Sequence, residues 1–167
     1  SYTDALNNLG TYYHRQHKYD QSIRCLKKVT ELDPDFYGGW INLAGSLIST
    51  GRFEEALEAS KRAYNIRPSD NLVVSQIALS YYYLRVLSEA EEYFKKLISL
   101  DPASAVRPQL FLVHIAMLKK DKDEAEEYIK EYLTIHPNST EVNHPREILT
   151  DLKSASFSGT HQDQPEH

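Results

Sequence analysis

The sequence is poor in residues that build redox, metal and phosphate sites. Among its 167 residues there is one cysteine, Cys25, and no glycine-rich phosphate loop. A single cysteine excludes an internal disulfide and a cysteine metal cluster. His14 and His17 lie three residues apart, but no third ligand stands at a supporting spacing, so we interpret both as solvated surface residues. We expect no metal, no other cofactor and no catalytic activity.

Long basic and long apolar runs are also missing. The formal net charge is -5 and no block of Lys or Arg occurs, so we do not expect nucleic acid as a partner. No apolar run approaches the ~18 to 20 residues of a spanning helix, and no signal segment opens the chain. We therefore expect no membrane insertion and slightly favour the cytoplasm. Because Ser1 rather than Met is first, a removed upstream segment and a periplasmic location stay open.

Proline recurs at a fixed spacing along the chain. Pro34, Pro68 and Pro102 are 34 residues apart, and Pro137 follows after 35. Apolar and small residues recur at the same offsets in each unit. The apolar positions are Leu9, Leu43, Ile77 and Leu112, then Leu32, Ile66, Leu100 and Ile135. The small positions, where two helices would approach closely, are Gly10, Ala44 and Ala78, then Ser22, Ala56, Ala90 and Ala125.

Each unit has the pattern of two amphipathic helices joined by a turn. In the third unit, Val74, Ile77 and Tyr81 follow helical spacing, and Ala90, Phe94 and Leu97 repeat it after the turn. Turns are expected around Gly51 and at the sequence KKDKDE, and Asp-Pro pairs end the second helices of the first and third units. Neither helix can bury its stripe alone, so the units must stack on one another.

These residues resemble the tetratricopeptide repeat, a helix-turn-helix unit with a large residue, Leu-Gly, a mid-repeat Ala and a closing Pro. The resemblance covers about residues 3–137, and the fourth unit, with an extra residue in ASAVRPQ, is the most degenerate. The second unit shows the pattern at Trp40, Leu43, Ala44, Ala56, Ala63 and Pro68. The general style of the repeats suggests a bacterial protein.

The resemblance implies an all-α fold, a right-handed α-solenoid with a concave and a convex face. Residues 1–137 would form four units, at about 3–36, 37–70, 71–105 and 106–139. We predict a C-terminal capping helix over 140–154, for nine helices altogether, and a disordered tail over 155–167. Trp40 and Tyr81 are expected to be largely buried.

The family also implies a ligand-binding stripe on the first helix of each unit, facing the concave groove. Tyr83 falls on this stripe because it follows Gln76 by seven residues, whereas Tyr81 belongs to the core. The stripe is polar in the first two units and apolar in the last two. The predicted peptide-binding residues are Asn8, Thr11, Arg15, Asn42, Gly45, Ser49, Leu72, Gln76, Leu79, Tyr83, Phe111, His114 and Leu118.

Asn8, Asn42 and Gln76 lie one period apart and resemble the amide ladder with which some family members hold a peptide main chain. The basic clamp that other members use for a C-terminal carboxylate is not evident. Of its positions only Asn42 matches, and the others are Asn7, Thr11, Leu72 and Gln76. A receptor for chaperone tails is therefore disfavoured.

The sequence thus predicts a non-catalytic scaffold that binds a protein or an extended peptide, with an apolar or aromatic anchor, in its groove. The alternative is a structural module that self-assembles or docks within a larger multidomain protein. A concentration-dependent mass favours assembly, and a monomer that captures peptides favours the scaffold.

Overall fold

A computed structural model describes residues 1–137 and residue 150. The described part contains eight α-helices and confirms the all-α class. In chain order the helices are α1 (Tyr2–Arg15), α2 (Tyr19–Leu32), α3 (Tyr37–Ser49), α4 (Phe53–Ile66), α5 (Asn71–Tyr83), α6 (Leu87–Leu100), α7 (Pro108–Lys119) and α8 (Lys122–Ile135). The predicted capping helix and tail lie outside the described residues. None of the described helices is long and apolar enough to cross a membrane.

The chain divides into two compact units, Ser1–Asp101 with α1 to α6 and a second unit that starts at Pro102. In the first unit every helix pair is joined by a three-residue turn with one left-handed residue. These residues are His17, Gly51 and Arg85, with φ of 57°, 73° and 63°. The same backbone hydrogen bond closes each turn, as from Arg52 N to Leu47 O at 2.9 Å. The predicted turn at Gly51 is confirmed, and the neighbouring repeats adopt its geometry without glycine.

Small residues lie where the helices of a pair approach each other. Gly10 is buried on α1, and a Cβ added there would come within 2.7 Å of Leu26 Cγ on α2. Ala44, Ala56, Ala78 and Ala90 are fully buried. The recurring small positions therefore set the packing distance, as the sequence predicted.

The core of the first unit links successive pairs. Ile23 and Leu26 of α2 pack with Leu43 and Leu47 of α3 in one cluster. A second cluster joins α3, α4 and α5 through Ile41, Ala63, Val73 and Ile77. Both clusters connect neighbouring repeats, so contacts between successive helix pairs stabilise the first unit.

Three large side chains are less buried than the sequence predicted. Trp40 and Tyr81 are half-buried and pack against the core from its edge. Leu9 is 40% exposed, whereas its equivalents Leu43 and Ile77 are 3% and 0% exposed. Leu43 and Ile77 lie on helices that pack against a preceding helix pair, whereas Leu9 lies on α1, the first described helix.

The second unit contains α7 and α8, which pack through Val113, Ala116, Ala125 and Ile129. Its segment before α7 contains the additional residue that displaces the fourth proline. Gln109, fully buried at the start of α7, donates from Nε2 to Pro102 O at 3.2 Å. In the second repeat Trp40 Nε1 donates in the same way to Pro34 O, at 2.7 Å. At two places in the chain, the proline that closes one repeat thus accepts a hydrogen bond from a side chain of the next repeat.

Candidate functional site

The first helices of three successive repeats, α1, α3 and α5, form a pocket of about 260 Å³. It brings together six of the predicted groove residues and adds His14 and Ile41. The lining residues are Thr11, His14, Ile41, Asn42, Gly45, Ser49, Leu72 and Gln76. None of them is Asp, Glu, Lys or Arg, so the pocket is built from neutral polar groups and two apolar walls.

Asn42 connects α3 to α1. Its Nδ2 donates to Asn7 Oδ1 at 3.0 Å and to Thr11 Oγ1 at 3.3 Å. Thr11 Oγ1 in turn donates to Asn7 O at 2.9 Å. Asn7, Thr11 and Asn42 occupy three positions of the family's basic clamp, and here they form hydrogen bonds with one another. Asn42 therefore makes two hydrogen bonds between repeats, from α3 to α1.

Gln76 is buried, with 6% of its surface exposed, and its Nε2 donates to Ile41 O at 3.0 Å. The prediction of a groove-exposed amide at this position is wrong. Its Oε1 is also buried and has no partner among the described residues. Gly45 lies next to this side chain, and a Cβ added there would be in ordinary van der Waals contact with Gln76 Nε2, at 3.4 Å.

His14 belongs to a buried hydrogen-bond network and is not a solvated surface residue. Its Nδ1 lies 2.9 Å from Ser46 Oγ, which also lies 2.9 Å from Ser22 Oγ and donates to Asn42 O at 3.0 Å. Since Ser46 has one hydroxyl hydrogen, all three contacts form together only if Ser22 and the His14 Nδ1–H donate to it. Burial, and secondly the charge of His17, lower the pKa of His14 below its ordinary value.

The three consecutive tyrosines have different neighbours. The Tyr81 ring lies 5.8 Å from Tyr93, and the Tyr82 ring lies 6.2 Å from Phe94. Tyr83 stacks on Phe53 at 4.6 Å with an interplanar angle of 14°, and it remains 50% exposed. Tyr83 is thus held by a ring at the start of α4 and presents its other face to solvent.

The remaining predicted groove residues do not line the pocket. Asn8 and Arg15 are exposed on α1, and Leu79 is half-buried on α5. Phe111, His114 and Leu118 lie on α7 of the second unit, where Phe111 is half-buried and the other two are exposed. Asn8 therefore does not share the environment of Asn42 and Gln76, although the three are equally spaced in sequence.

The described residues contain no group of three side chains from His, Cys, Asp and Glu that could hold a metal ion. The pocket's chemistry is hydrogen bonding with apolar contact from Ile41 and Leu72. His14 is a pocket residue that the repeat pattern did not predict. Its spacing of three from Thr11 gave the signal, since residues three apart share a helix face.

The fold and the pocket define an all-α helical-repeat protein whose pocket is made by the first helices of consecutive repeats. The chain belongs to the tetratricopeptide repeat family. Models of this repeat match residues 3–36, 37–70 and 76–140.

Curated relatives match at low identity. The Hsp70-Hsp90 organising protein of Plasmodium falciparum is 26% identical over 159 residues, covering 89% of this chain and 61% of that protein. The peroxisomal targeting signal receptor of Saccharomyces cerevisiae is 27% identical over 92 residues, covering 55% of this chain and 15% of the receptor. This chain therefore corresponds to part of each relative's length.

Solved structures share the fold. A crystal structure of MamA protein is 15% identical with a TM-score of 0.78, and the match covers 98% of both chains. The first repeat domain of Spaghetti, solved with the HSP90 peptide SRMEEVD, is 23% identical with a TM-score of 0.66, covering 71% of this chain and 93% of that one.

Proposed function

We propose that this chain is a non-catalytic interaction scaffold that binds a polypeptide segment at the pocket of its first unit. The observation that carries the proposal is the convergence of Thr11, Asn42, Gly45, Ser49, Leu72 and Gln76 on one cavity. These residues come from three repeats, so an extended segment that crosses α1, α3 and α5 can contact side chains of all three repeats. The exposed Leu72 gives it an apolar contact.

Relatives support a polypeptide ligand. One is an Hsp70-Hsp90 organising protein, others are peroxisomal targeting signal receptors, and the Spaghetti domain was solved with an HSP90 peptide. This chain lacks a cationic residue in its pocket, so a ligand held by its C-terminal carboxylate is disfavoured. We infer that the ligand is an internal segment with an apolar or aromatic anchor for Leu72 and Tyr83.

A peptide array probed with purified protein tests the proposal. Leu72→Ser removes an apolar pocket wall that is 53% exposed, so it should weaken capture without unfolding the protein. Leu32→Ser is the matched control, since Leu32 is 47% exposed and lies outside the pocket. Equal capture by wild type, Leu72→Ser and Leu32→Ser would show that the peptides bind elsewhere.

Self-association is the second candidate, favoured by an apolar side of α1. Tyr2, Leu9 and Tyr12 are 69%, 40% and 57% exposed, and their spacing places them on one side of the helix. The equivalent sides of α3 and α5 are covered by the preceding helix pair. Light scattering over a range of concentrations distinguishes the candidates, because Leu9→Glu should abolish assembly and leave peptide capture unchanged.

A further inference from the structure

A second cavity lies among α2, α3 and α4, where the first two repeats pack together. Its volume is about 190 Å³, and it shares no lining residue with the candidate pocket. Its apolar lining consists of the half-buried Trp40 together with Leu43, Leu47 and Ala59, which are almost fully buried. We call this site the Trp40 cavity.

The next repeat interface, among α4, α5 and α6, shows what can fill the equivalent place. Three lining residues of the Trp40 cavity have a tyrosine 34 residues later in the chain. The pairs are Thr30 and Tyr64, Leu47 and Tyr81, and Ala59 and Tyr93. The Tyr93 ring centroid lies 6.2 Å from that of Tyr64 and 5.8 Å from that of Tyr81, so the three rings form one cluster.

The Trp40 cavity is thus the position of a tyrosine cluster whose three rings are replaced by smaller side chains. Trp40 stands where the next repeat has Val74, but its larger ring does not fill the space, since the cavity remains. An aromatic side chain from outside the chain can supply the missing contacts.

Carboxylates also line the Trp40 cavity. Lys27 and Arg52 pair with Glu55 at 3.0 and 2.6 Å and offset its charge. Glu31 makes an exposed ion pair within its own helix, and such pairs contribute little. Glu58 is exposed and makes no ion pair or hydrogen bond with any described residue. Glu31 and Glu58 therefore place negative charge available to a ligand beside the apolar lining.

We propose that the Trp40 cavity binds a tyrosine side chain of a partner protein, in a segment whose flanking residues are basic. The ring packs against Trp40 and Leu43, and the flanking cations lie at Glu31 and Glu58, which complement their charge. This site is separate from the pocket of the proposed function.

The tyrosine cluster of the next interface contains the same combination of ring and cation. The Lys96 ammonium lies 4.6 Å from the centroid of the Tyr64 ring and also donates to the Tyr64 hydroxyl. The Lys61 ammonium lies 5.2 Å from the Tyr81 ring. A cation beside an aromatic ring is attracted by the negative face of the ring. The fold therefore already accommodates tyrosine with a basic neighbour at the equivalent position.

Three short peptides test the proposal on the full-length protein. The main probe is acetyl-Arg-Tyr-Arg-amide. Acetyl-Arg-Ala-Arg-amide lacks the ring, and acetyl-Glu-Tyr-Glu-amide reverses the charge. Trp40 is the single tryptophan of the chain, so its indole N–H gives one NMR resonance that reports on the cavity. Dissociation constants in the millimolar range are expected for ligands of this size.

We expect the Arg-Tyr-Arg peptide to shift the Trp40 indole resonance and to bind about tenfold more tightly than the other two peptides. The ring buries apolar surface that alanine does not, and the acidic peptide meets like charge at Glu31 and Glu58. Equal binding of the Arg-Ala-Arg or the Glu-Tyr-Glu peptide would overturn the proposal. So would an indole resonance that the Arg-Tyr-Arg peptide leaves unchanged.

Filling the cavity from within provides a second test. Ala59→Tyr introduces the residue that the next repeat has at this position, so the Arg-Tyr-Arg peptide should bind about tenfold more weakly, at the level of the Arg-Ala-Arg peptide. Thr30→Tyr makes the same test from α2 if Ala59→Tyr does not fold. Undiminished binding of the Arg-Tyr-Arg peptide to either folded variant would contradict the site.

Charge variants at exposed positions test the acidic side of the cavity without disturbing its packing. Glu58→Gln should weaken binding of the Arg-Tyr-Arg peptide about two- to fivefold, as the loss of one exposed ion pair predicts. Glu54→Gln is the matched control, since Glu54 is exposed on the same helix outside the cavity. An equal loss in both variants would contradict a contact at Glu58. Leu72→Ser should leave this binding unchanged, so peptide capture at the candidate pocket and tyrosine binding at the Trp40 cavity can fail separately.

Discussion

Gln76 on α5 donates from Nε2 to the main-chain oxygen of Ile41 on α3 at 3.0 Å. A carbonyl oxygen only accepts, so the amide nitrogen must face Ile41 and Oε1 must point the other way. This contact joins two repeats inside the candidate pocket. It also leaves Oε1 buried without a partner.

Substitutions at Gln76 should separate these two effects. Gln76→Met removes the donor and the unpartnered oxygen together, so the free energy of unfolding should change by less than about 1 kcal/mol. Gln76→Glu keeps the shape but buries a charge against Ile41 O, and should cost more than about 2 kcal/mol. Urea denaturation measures both. Equal stability of the two variants would contradict the assigned orientation.

Close packing should require glycine at position 10 but not at position 45. Gly10→Ala places a Cβ 2.7 Å from Leu26 Cγ in a closed contact between α1 and α2 and should destabilise the protein by about 1 to 3 kcal/mol. Gly45→Ala meets only Gln76 Nε2 at 3.4 Å, so its gain in helix propensity should stabilise the protein by up to ~1 kcal/mol. Thermal denaturation compares them. The same sign for both changes would refute this packing assignment.

Trp40 should contribute to stability through packing more than through its hydrogen bond. Trp40→Phe loses the bond to Pro34 O and should cost about 1 kcal/mol. Trp40→Ala also loses contacts with two core clusters and should cost roughly 3 kcal/mol, the low end for a tryptophan because the ring is half-buried. Tyr12→Ala, at a 57% exposed ring, is the control. A Trp40→Ala protein that unfolds at the same urea concentration as wild type would contradict this role.

His14 should make the protein less stable in mild acid. Its folded-state pKa lies below the ordinary value of 6.5, so between these two pKa values the unfolded chain binds more protons than the folded chain. The free energy of unfolding should therefore fall as the pH drops through 6.5 towards the folded pKa. His17 and the Tyr19 ring, 5.3 Å away, are the titratable neighbours.

The measurement is urea denaturation between about pH 5 and pH 8, together with an NMR titration of the His14 ring. His14→Asn keeps a donor for Ser46 but does not titrate, so its stability should depend less on pH than that of the wild type. Identical pH profiles, or a His14 pKa at or above 6.5, would be evidence against the lowered pKa.

Much of the fold follows from local pattern. The proline period indicated a 34-residue repeat, which is shown by the family matches, and helical spacing predicted which alanines are buried. The candidate pocket was partly predictable, because residues on one face of each first helix come together when repeats stack. Leu9 shows where the pattern failed, since its exposure depends on a neighbour that the periodicity alone does not specify.

By itself, then, the sequence determined the all-α repeat fold, and it predicted a stripe on the first helices that includes six of the pocket residues, because residues three or four apart share a helix face. Only the tertiary structure decided which polar groups remain available. Asn8, Asn42 and Gln76 are equivalent in spacing, yet one is exposed, one bonds to α1 and one is buried against α3. The hydrogen-bond partners of Asn42 and Gln76 lie 31 to 35 residues away in the chain. Contacts at that distance form only when one repeat packs on the next.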